Sequence, residues 1–176
     1  MTGERIIVAM SGGVDSTVAA HLLTEAGCRP VGVFLDAGPL RPRTPADAGH
    51  DAAAASADAR RAADALGIPL ETVDASADFD RLADHVSAEY GRGRTPNPCV
   101  RCNRTIKFAR LLAMADARGI RCVATGHYAR VEWEAGRWRL KRGLDREKDQ
   151  SYFLARLAPA SLERIRLPVG EMTKAV

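Results

Sequence analysis

Residues 5–16 read RIIVAMSGGVDS, and this stretch decides the fold. The apolar run from Arg5 to Met10 predicts a buried parallel strand. A helix is predicted from Val14 to Ala26, and Gly27 ends it. A buried strand that turns into a helix within a few residues is the first unit of an α/β protein.

The same alternation of strand and helix continues along the chain. Further strands are predicted at 30–35, 70–74 and 121–125, and further helices at 52–66, 77–90 and 103–118. A loop rich in Pro, Gly and Ala runs from Asp36 to about His50, and residues from Asp149 onward favour helix again. Two alternating segments, 128–133 and 137–142, predict a hairpin around residues 134–136. We therefore expect an α/β, Rossmann-like, doubly wound parallel sheet of five strands, whose fifth strand the pattern does not locate, with a small β-hairpin near the C-terminal part.

Composition and charge are those of an ordinary globular domain with a basic surface. The 176 residues carry a formal net charge of +4, which suits a polyanionic partner. No apolar run approaches the ~18 residues of a membrane span, and no secretory signal opens the chain, so the cytoplasm is the expected location. Basic residues form two groups, either solvated surface charge or an RNA-binding surface: Arg92, Arg94, Arg101, Arg104 and Lys107, then Arg137, Arg139, Lys141, Arg142, Arg146 and Lys148.

The turn SGGVDS at residues 11–16 has the chemistry of a phosphate-binding loop. Gly12 and Gly13 let an anion approach the backbone, and the following helix supplies free N–H groups and the positive end of its dipole. Ser11 and Ser16 add hydroxyl donors, while the Asp15 carboxylate suits Mg²⁺ better than bare phosphate. No GxxxxGK[ST] pattern is present, so no lysine of the loop reaches a γ-phosphate. The alternative is a tight glycine turn before a capped helix.

Other polar residues follow the remaining strands. Leu35 and Asp36 end the second strand, and Gly126 and His127 end the fourth. Ligands of open α/β sheets bind at the carboxyl ends of the strands, so these residues are expected to meet the phosphate loop. His127 has either a structural or a functional role here.

Two of the four cysteines need a special explanation. Cys28 and Cys122 flank predicted strands and are expected to be buried. Cys99 and Cys102 form a CxxC within RTPNPCVRCNRTIKF, residues 94–108. If a helix begins near Asn103, its dipole and the neighbouring arginines would favour the Cys102 thiolate and make Cys102 a nucleophile. The alternative is a buried packing cysteine.

The order of four motifs carries a family resemblance. SGGVDS resembles the loop of the ATP pyrophosphatases, a superfamily with the adenine nucleotide alpha hydrolase-like fold. Together with GRTPNPCVRCNRTIKF (93–108), ATGHYAR (124–130) and DREKDQSYFL (145–154), it makes the chain resemble the tRNA-specific 2-thiouridylase family of the MnmA/TrmU type from Arg5 to Glu171. The resemblance implies an ATP-dependent tRNA sulfurtransferase that adenylates and then thiolates C2 of the wobble uridine. ATP, Mg²⁺, tRNA and a protein that donates persulfide sulfur are the implied cofactors and partners.

Residue roles follow from the same resemblance. Cys102 would be the catalytic nucleophile, and Asp15 would hold Mg²⁺. ATP would be bound by Ala9, Met10, Ser11, Gly12, Gly13, Val14, Asp15, Ser16, Leu35 and Gly126. The tRNA would be bound by Asn97, Pro98, Cys99, His127, Lys148, Asp149 and Gln150. Residues 1–145 would form the ATP pyrophosphatase domain, and residues 146–176 would begin the link to a central tRNA-binding domain beyond the chain.

Two alternatives remain open at this point. Some family members have Asp where Cys99 stands, which changes the local chemistry, and Cys99 with Cys102 would suit two ligands of an iron–sulfur cluster. The family's second catalytic cysteine, which carries the persulfide and with which Cys102 would form a disulfide, is expected beyond Val176. The chain alone would then bind ATP and tRNA without turnover.

Overall fold

A five-stranded parallel sheet forms the centre of the protein, with its strands in the order 70–74, 29–36, 5–9, 122–124 and 165–166. The computed structural model describes residues 3–38 and 52–174. The strands of the sheet are β1 (Arg5–Ala9), β2 (Arg29–Asp36), β3 (Leu70–Asp74), β4 (Cys122–Ala124) and β7 (Ile165–Arg166). Most of the loop expected from Asp36 to about His50 lies outside the described residues.

Helices cover both faces of this sheet. They are α1 (Val14–Glu25), α2 (Ala52–Leu66), α3 (Ser76–Gly91), α4 (Pro98–Cys102), α5 (Phe108–Ala117), α6 (Ser151–Leu154) and α7 (Pro159–Leu162). A π-helical segment, Asn103–Lys107, joins α4 to α5, and a 3₁₀ turn, Pro168–Glu171, follows β7. No helix of the described residues is long and apolar enough to cross a membrane.

The alternating side chains of β1 show how the two faces are covered. Ile6 and Val8 pack into one apolar cluster with residues of α1 and α2. Ile7 points to the other face and packs with Phe108 and Leu111 of α5. Ile7 and Val8 are fully buried, and burying an aliphatic side chain of this size contributes about 1.5–3 kcal/mol. The predicted doubly wound parallel sheet is confirmed.

The fifth strand is a two-residue segment late in the chain. Ile165 and Arg166 pair in parallel with Val123 and Ala124 of β4. Ile165 is buried in the cluster on the α5 face, as are Leu154 and Leu162. Two residues are too few to produce a recognisable periodicity, which is why the sequence pattern did not locate this strand.

The predicted hairpin is also confirmed. Strands β5 (Ala129–Glu134) and β6 (Arg137–Arg142) pair antiparallel through a two-residue turn. Ala135 and Gly136 both have positive φ, 49° and 78°, as a type I′ turn requires. Trp133 and Trp138 stand opposite each other, with ring centroids 5.5 Å apart in an edge-to-face arrangement.

Candidate nucleotide-binding cavity and thiol site

A cavity of about 260 Å³ opens at the carboxyl ends of the central strands. It brings together the ends of β1, β2 and β4, as the sequence predicted from the loops that follow these strands. Its lining residues are Ala9, Met10, Ser11, Asp15, Ser16, Val33, Phe34, Leu35, Phe79, Lys107, Thr125, Gly126, His127 and Gln150. Seven of the ten residues assigned to ATP are in this set, and Gly12, Gly13 and Val14 lie in the same loop.

Hydrogen bonds within the phosphate loop hold it in one shape. The Ser11 N–H donates to the Ser16 hydroxyl oxygen at 3.2 Å, and the Ser16 hydroxyl donates to the Gly13 carbonyl at 2.9 Å. Ser16 is buried. Because the Ser16 hydroxyl already donates its hydrogen bond to Gly13, it stabilises the shape of the loop. It is not free to donate to a ligand, contrary to what the sequence had predicted.

Two glycines are required by close backbone contacts. Gly12 has φ +79°, and a Cβ there would lie 2.7 Å from the Ala55 carbonyl oxygen of α2. A Cβ on Gly126 would lie 2.5 Å from the carbonyl carbon and oxygen of Asp15. The resemblance assigned Gly126 to ATP binding, and the group that a side chain at this position would meet first is the backbone of the phosphate loop itself.

Asp15, the expected Mg²⁺ ligand, forms an ion pair. Lys174 Nζ lies 2.7 Å from Asp15 Oδ1, and the Lys174 N–H donates to Asp145 Oδ2 at 2.9 Å. The hydrogen bond to Asp15 raises the pKa of Lys174. The side chain of Asp15 stays partly exposed, so it faces the cavity and a lysine at the same time.

His127 lies in the cavity wall as a neutral imidazole. Burial, with a smaller contribution from the charge of Lys107, lowers its pKa to about 4. Its Nδ1 is 2.7 Å from the Thr125 hydroxyl oxygen, and its ring centroid is 6.1 Å from that of Phe108. A half-buried ring held in this way has a structural role and still lines the cavity, where it is uncharged at neutral pH.

Lys107 is a cavity residue that the sequence had placed only in a basic cluster. It ends the π-helical segment and is partly buried in the cavity wall. No carboxylate of the described residues forms an ion pair with it. The signal in the sequence that could have linked Lys107 to this site is its position five residues after Cys102 of the CxxC.

The expectation that Cys102 lies at a helix start is wrong. The helix begins five residues earlier, because Asn97 Oδ1 accepts the Val100 N–H at 3.1 Å and Pro98 occupies the first turn. Cys102 therefore ends α4, one full turn from the positive end of the helix dipole. It does not gain the stabilisation of a thiolate that the sequence argument assumed.

Cys102 is also buried, with 8% of its surface exposed. It packs with Ala75 and Ile106, and Leu35, Phe79 and Leu82 border the same cluster. Burial raises the pKa of its thiol, the charge of Lys107 lowers it, and the nearby Cys99 raises it further. The net direction is upward, which corrects the expected ready ionisation.

Of the other three cysteines, two are buried, as the sequence predicted, and the third is exposed. Cys28 and Cys122 are buried, and burial raises the pKa of Cys122. Cys99 is exposed, at the second position of α4. Within the described residues, no group of three or more His, Cys, Asp or Glu side chains is arranged to hold a metal ion.

The residues assigned to tRNA lie in three places: Asn97, Pro98 and Cys99 at the start of α4, His127 after β4, and residues 148–150 before α6. Gln150 Oε1 accepts the Tyr128 N–H at 3.0 Å. Asp149 accepts the N–H of Gly143 at 2.9 Å and the hydroxyl of Ser151 at 2.9 Å. These bonds fix the turn before α6 and leave Lys148 exposed on its surface.

A second cavity of about 300 Å³ lies beside Asn97. Its other lining residues are His85, Glu89, Pro96, Val100, Arg101, Tyr152 and Arg156. Arg94 is held by both oxygens of Glu89, each at 2.6 Å, and this contact lowers the pKa of Glu89 to about 2. Arg101 and Arg156 form no ion pair with a carboxylate of the described residues, so their charges face the cavity unneutralised.

The parallel sheet, the glycine loop after β1 and the cavity at the strand ends define a nucleotide-binding α/β domain of the Rossmann-like class. A family model described as the tRNA methyl transferase HUP domain matches residues 4–176. The chain belongs to this family.

Relatives of known name agree with this assignment. A tRNA-specific 2-thiouridylase MnmA of Rhodopirellula baltica is 43% identical over 97% of this chain and 50% of its own length. That of Syntrophotalea carbinolica is 48% identical over 97% of this chain and 48% of its own. The chain therefore spans about half the length of the curated relatives it matches.

A solved structure with the same fold is more distant in sequence. The predicted subunit of a tRNA methyltransferase from Methanocaldococcus jannaschii superimposes with a TM-score of 0.56, covering 96% of this chain and 69% of the other. Its sequence identity is 16%, so this likeness supports the fold alone.

Proposed function

We propose that this chain is the ATP-binding part of a tRNA sulfurtransferase that makes 2-thiouridine at the wobble position. The observation that carries the proposal is the position of one cavity, bounded by the phosphate loop and by Lys107, next to the Cys102 cluster. Leu35 and Phe79 belong to both the cavity wall and that cluster. The names of the relatives, tRNA-specific 2-thiouridylases, point to the same activity.

The residues of the cavity fit ATP as a substrate. Val33, Phe34 and Leu35 offer an apolar surface for the adenine ring. The backbone of Ser11 to Gly13 and the start of α1 offer N–H donors for phosphates. Asp15 and its partly exposed carboxylate suit Mg²⁺, which would neutralise phosphate charge. Lys174 and Mg²⁺ would then compete for, or share, this carboxylate.

The proposed reaction has two steps. The uridine O2 attacks the α-phosphate of ATP, and the bond to pyrophosphate breaks. Persulfide sulfur, supplied by a donor protein and carried on a second cysteine, then attacks C2, and AMP leaves with the former O2. The Cys102 thiolate attacks the inner sulfur of the persulfide, which breaks the S–S bond, forms a disulfide between Cys102 and the second cysteine, and leaves the outer sulfur on C2. Cys102 is the proposed nucleophile of this chain, and Asn97, Pro98 and exposed Cys99 are proposed to face the target base. Lys148, Asp149, Gln150 and the walls of the second cavity are proposed to approach the tRNA.

A second candidate function is binding of ATP and tRNA without turnover by this chain alone. The burial of Cys102 favours it, because a buried thiol with a raised pKa is mostly protonated at neutral pH. The two candidates share the ATP site and differ in whether pyrophosphate is released when tRNA is added.

The test of the ATP site is a calorimetric titration with Mg·ATP. Gly13→Val should weaken binding at least about ten-fold, because its side chain would stand where phosphate meets the loop. A Cβ at Gly13 has Ser11 Oγ at 3.6 Å as its nearest neighbour, so the fold tolerates it. Gly91→Val, at the far end of α3 with open space around it, is the matched control. Equal affinity of wild type and Gly13→Val would refute the phosphate-loop assignment.

The Mg²⁺ assignment is tested in the same experiment. Asp15→Asn should lose the part of the affinity that depends on Mg²⁺ and keep the part measured with EDTA. An Asp15→Asn variant that responds to Mg²⁺ like the wild type would show that Asp15 does not hold the metal.

A further inference from the structure

Lys107 stands between the nucleotide cavity and the Cys102 cluster. It lines the cavity together with Ser11 and Asp15. The preceding residue, Ile106, is buried against Cys102, and the following residue, Phe108, contacts the His127 ring. The backbone at Lys107 therefore belongs to both sites at once.

The π-helical segment explains why the lysine and the cysteine are neighbours. In a π-helix each residue bonds with the residue five positions on. Cys102 and Lys107 have this separation, since Cys102 precedes the segment and Lys107 ends it. A π-helical turn inside an α-helix is often found at a functional site, and here it turns Lys107 toward the cavity.

A partly buried cation without a counter-charge is costly to keep. In the described part of the chain, Lys107 pairs with no carboxylate, and the cavity that it faces is large enough to admit an anionic group. His127 in the same wall is uncharged at neutral pH, and the Asp15 carboxylate of this cavity is paired with Lys174, so neither supplies a counter-charge to Lys107. The missing negative charge is therefore expected to come from a ligand.

We propose that the Lys107 ammonium group serves two sites: it binds a phosphate of the nucleotide in the cavity, and the same charge favours the thiolate form of Cys102. The inference rests on the proposed function for the identity of the anion, ATP. It adds a binding residue that the phosphate loop lacks, and it connects ATP binding to the state of the thiol.

ATP binding and ionisation of Cys102 are expected to oppose each other. A phosphate beside Lys107 neutralises its charge, so bound ATP raises the pKa of Cys102 and keeps the thiol protonated. By thermodynamic reciprocity, ionisation of Cys102 weakens ATP binding by the same factor. Lys107 and Cys99 are the ionisable groups whose charge acts on Cys102. The side chains packed on it from β2 and α3 are the apolar Leu35, Phe79 and Leu82, and α6 contributes Tyr152 near α4.

The test compares Lys107→Met and Lys107→Arg with Arg104→Met. Arg104 is an exposed cation on the same segment, so its variant removes one charge without touching the cavity. ATP affinity is measured by calorimetry, and Cys102 ionisation by the midpoint of its alkylation rate against pH, read by peptide mass mapping. The midpoint is used because bound ATP also shields the thiol and slows alkylation at every pH.

Lys107→Met should weaken ATP binding about ten-fold or more, as expected when a charge-assisted contact is lost. It should raise the alkylation midpoint of Cys102, whereas Lys107→Arg and Arg104→Met should leave it near the wild-type value. ATP should raise the midpoint in the wild type and leave it unchanged in Lys107→Met. Circular dichroism establishes that each variant is folded, and Lys107→Gln replaces Lys107→Met if the latter is not.

Three results would overturn the inference. Equal ATP affinity in wild type and Lys107→Met would refute the phosphate contact while leaving the proposed function intact. Equal midpoints in both would refute the effect on the thiol. If the wild-type chain binds no ATP, the proposed ATP site fails and the phosphate contact with it, and the midpoints without ATP still decide whether Lys107 acts on Cys102.

Discussion

Replacing Gly126 by alanine tests whether the end of β4 positions the phosphate loop. The new Cβ would lie 2.5 Å from the carbonyl carbon and oxygen of Asp15 and 2.7 Å from the Ser16 nitrogen. All three are backbone atoms of the first turn of α1, so no side chain can rotate away. Because carbon atoms in contact normally lie about 3.5–4.0 Å apart, the strand end and the helix start must separate by about 1 Å.

The size of the effect follows from this overlap. Overpacking of this kind costs about 1–3 kcal/mol of unfolding free energy. In a domain of this length, that corresponds to a fall in Tm of about 2–12 °C. The displaced N–H groups would also miss the phosphates, and losing a charge-assisted hydrogen bond weakens ATP binding by about ten- to a hundred-fold.

Urea unfolding followed by fluorescence of Trp133 and Trp138 measures the first quantity, and calorimetry with Mg·ATP measures the second. Gly13→Ala is the matched control, because its Cβ meets only Ser11 Oγ at 3.6 Å and its φ of −84° suits any residue. Its unfolding free energy should stay within about 1 kcal/mol of wild type. Wild-type stability and ATP affinity in Gly126→Ala would refute the idea that this contact positions the loop.

Three further predictions use the cysteines, the histidine and the basic surface. Alkylation near neutral pH should label exposed Cys99 before buried Cys102 in peptide mass maps, and the reverse order would contradict the burial. NMR should show no titration of His127 between about pH 6 and 8. The pKa of His127 is about 4 in the folded protein and 6.5 in the unfolded chain. The unfolding free energy should therefore fall by up to about 3 kcal/mol as the pH drops from 6.5 toward 4. Arg101→Ala should reduce the salt slope of tRNA affinity by about 0.9, and Arg94→Ala should reduce it less because Glu89 already holds that guanidinium; equal slopes in both would show that the ion pair does not matter.

The parts of the fold that could be predicted from sequence have strong local signals. The bounds predicted for α2 and β3 are those observed, since an alanine-rich helix ends at Gly67, whose φ of +65° suits glycine. The apolar run of β1 and the glycine loop after it likewise identify the first unit. Once the strands are known, parallel pairing predicts that the carboxyl ends of β1, β2 and β4 lie together at the cavity.

The sequence argument failed at α4 in two ways: a local signal for the helix start was missed, and a contact between residues distant in the chain was not foreseen. The helix was predicted to begin only at residue 103, although Pro98 suits the first helical turn and Asn97 caps it. The burial of Cys102 has no local signal, because its sequence neighbours Arg101 and Asn103 are polar. Phe79 and Leu82 of α3 cover it instead, and nothing in the local sequence indicates that contact.

The cations nearest to the phosphate loop come from other parts of the chain. SGGVDS contains no basic residue, although ATP brings several negative charges to it. Two lysines from elsewhere in the chain lie at the same place: Lys107 in the cavity wall and Lys174 on Asp15. Lys174 already has a counter-charge, so an arriving phosphate must compete with Asp15 for it unless Mg²⁺ takes that carboxylate. Lys107 forms no ion pair with a carboxylate of the described residues. A phosphate can therefore bind Lys107 without breaking an existing ion pair.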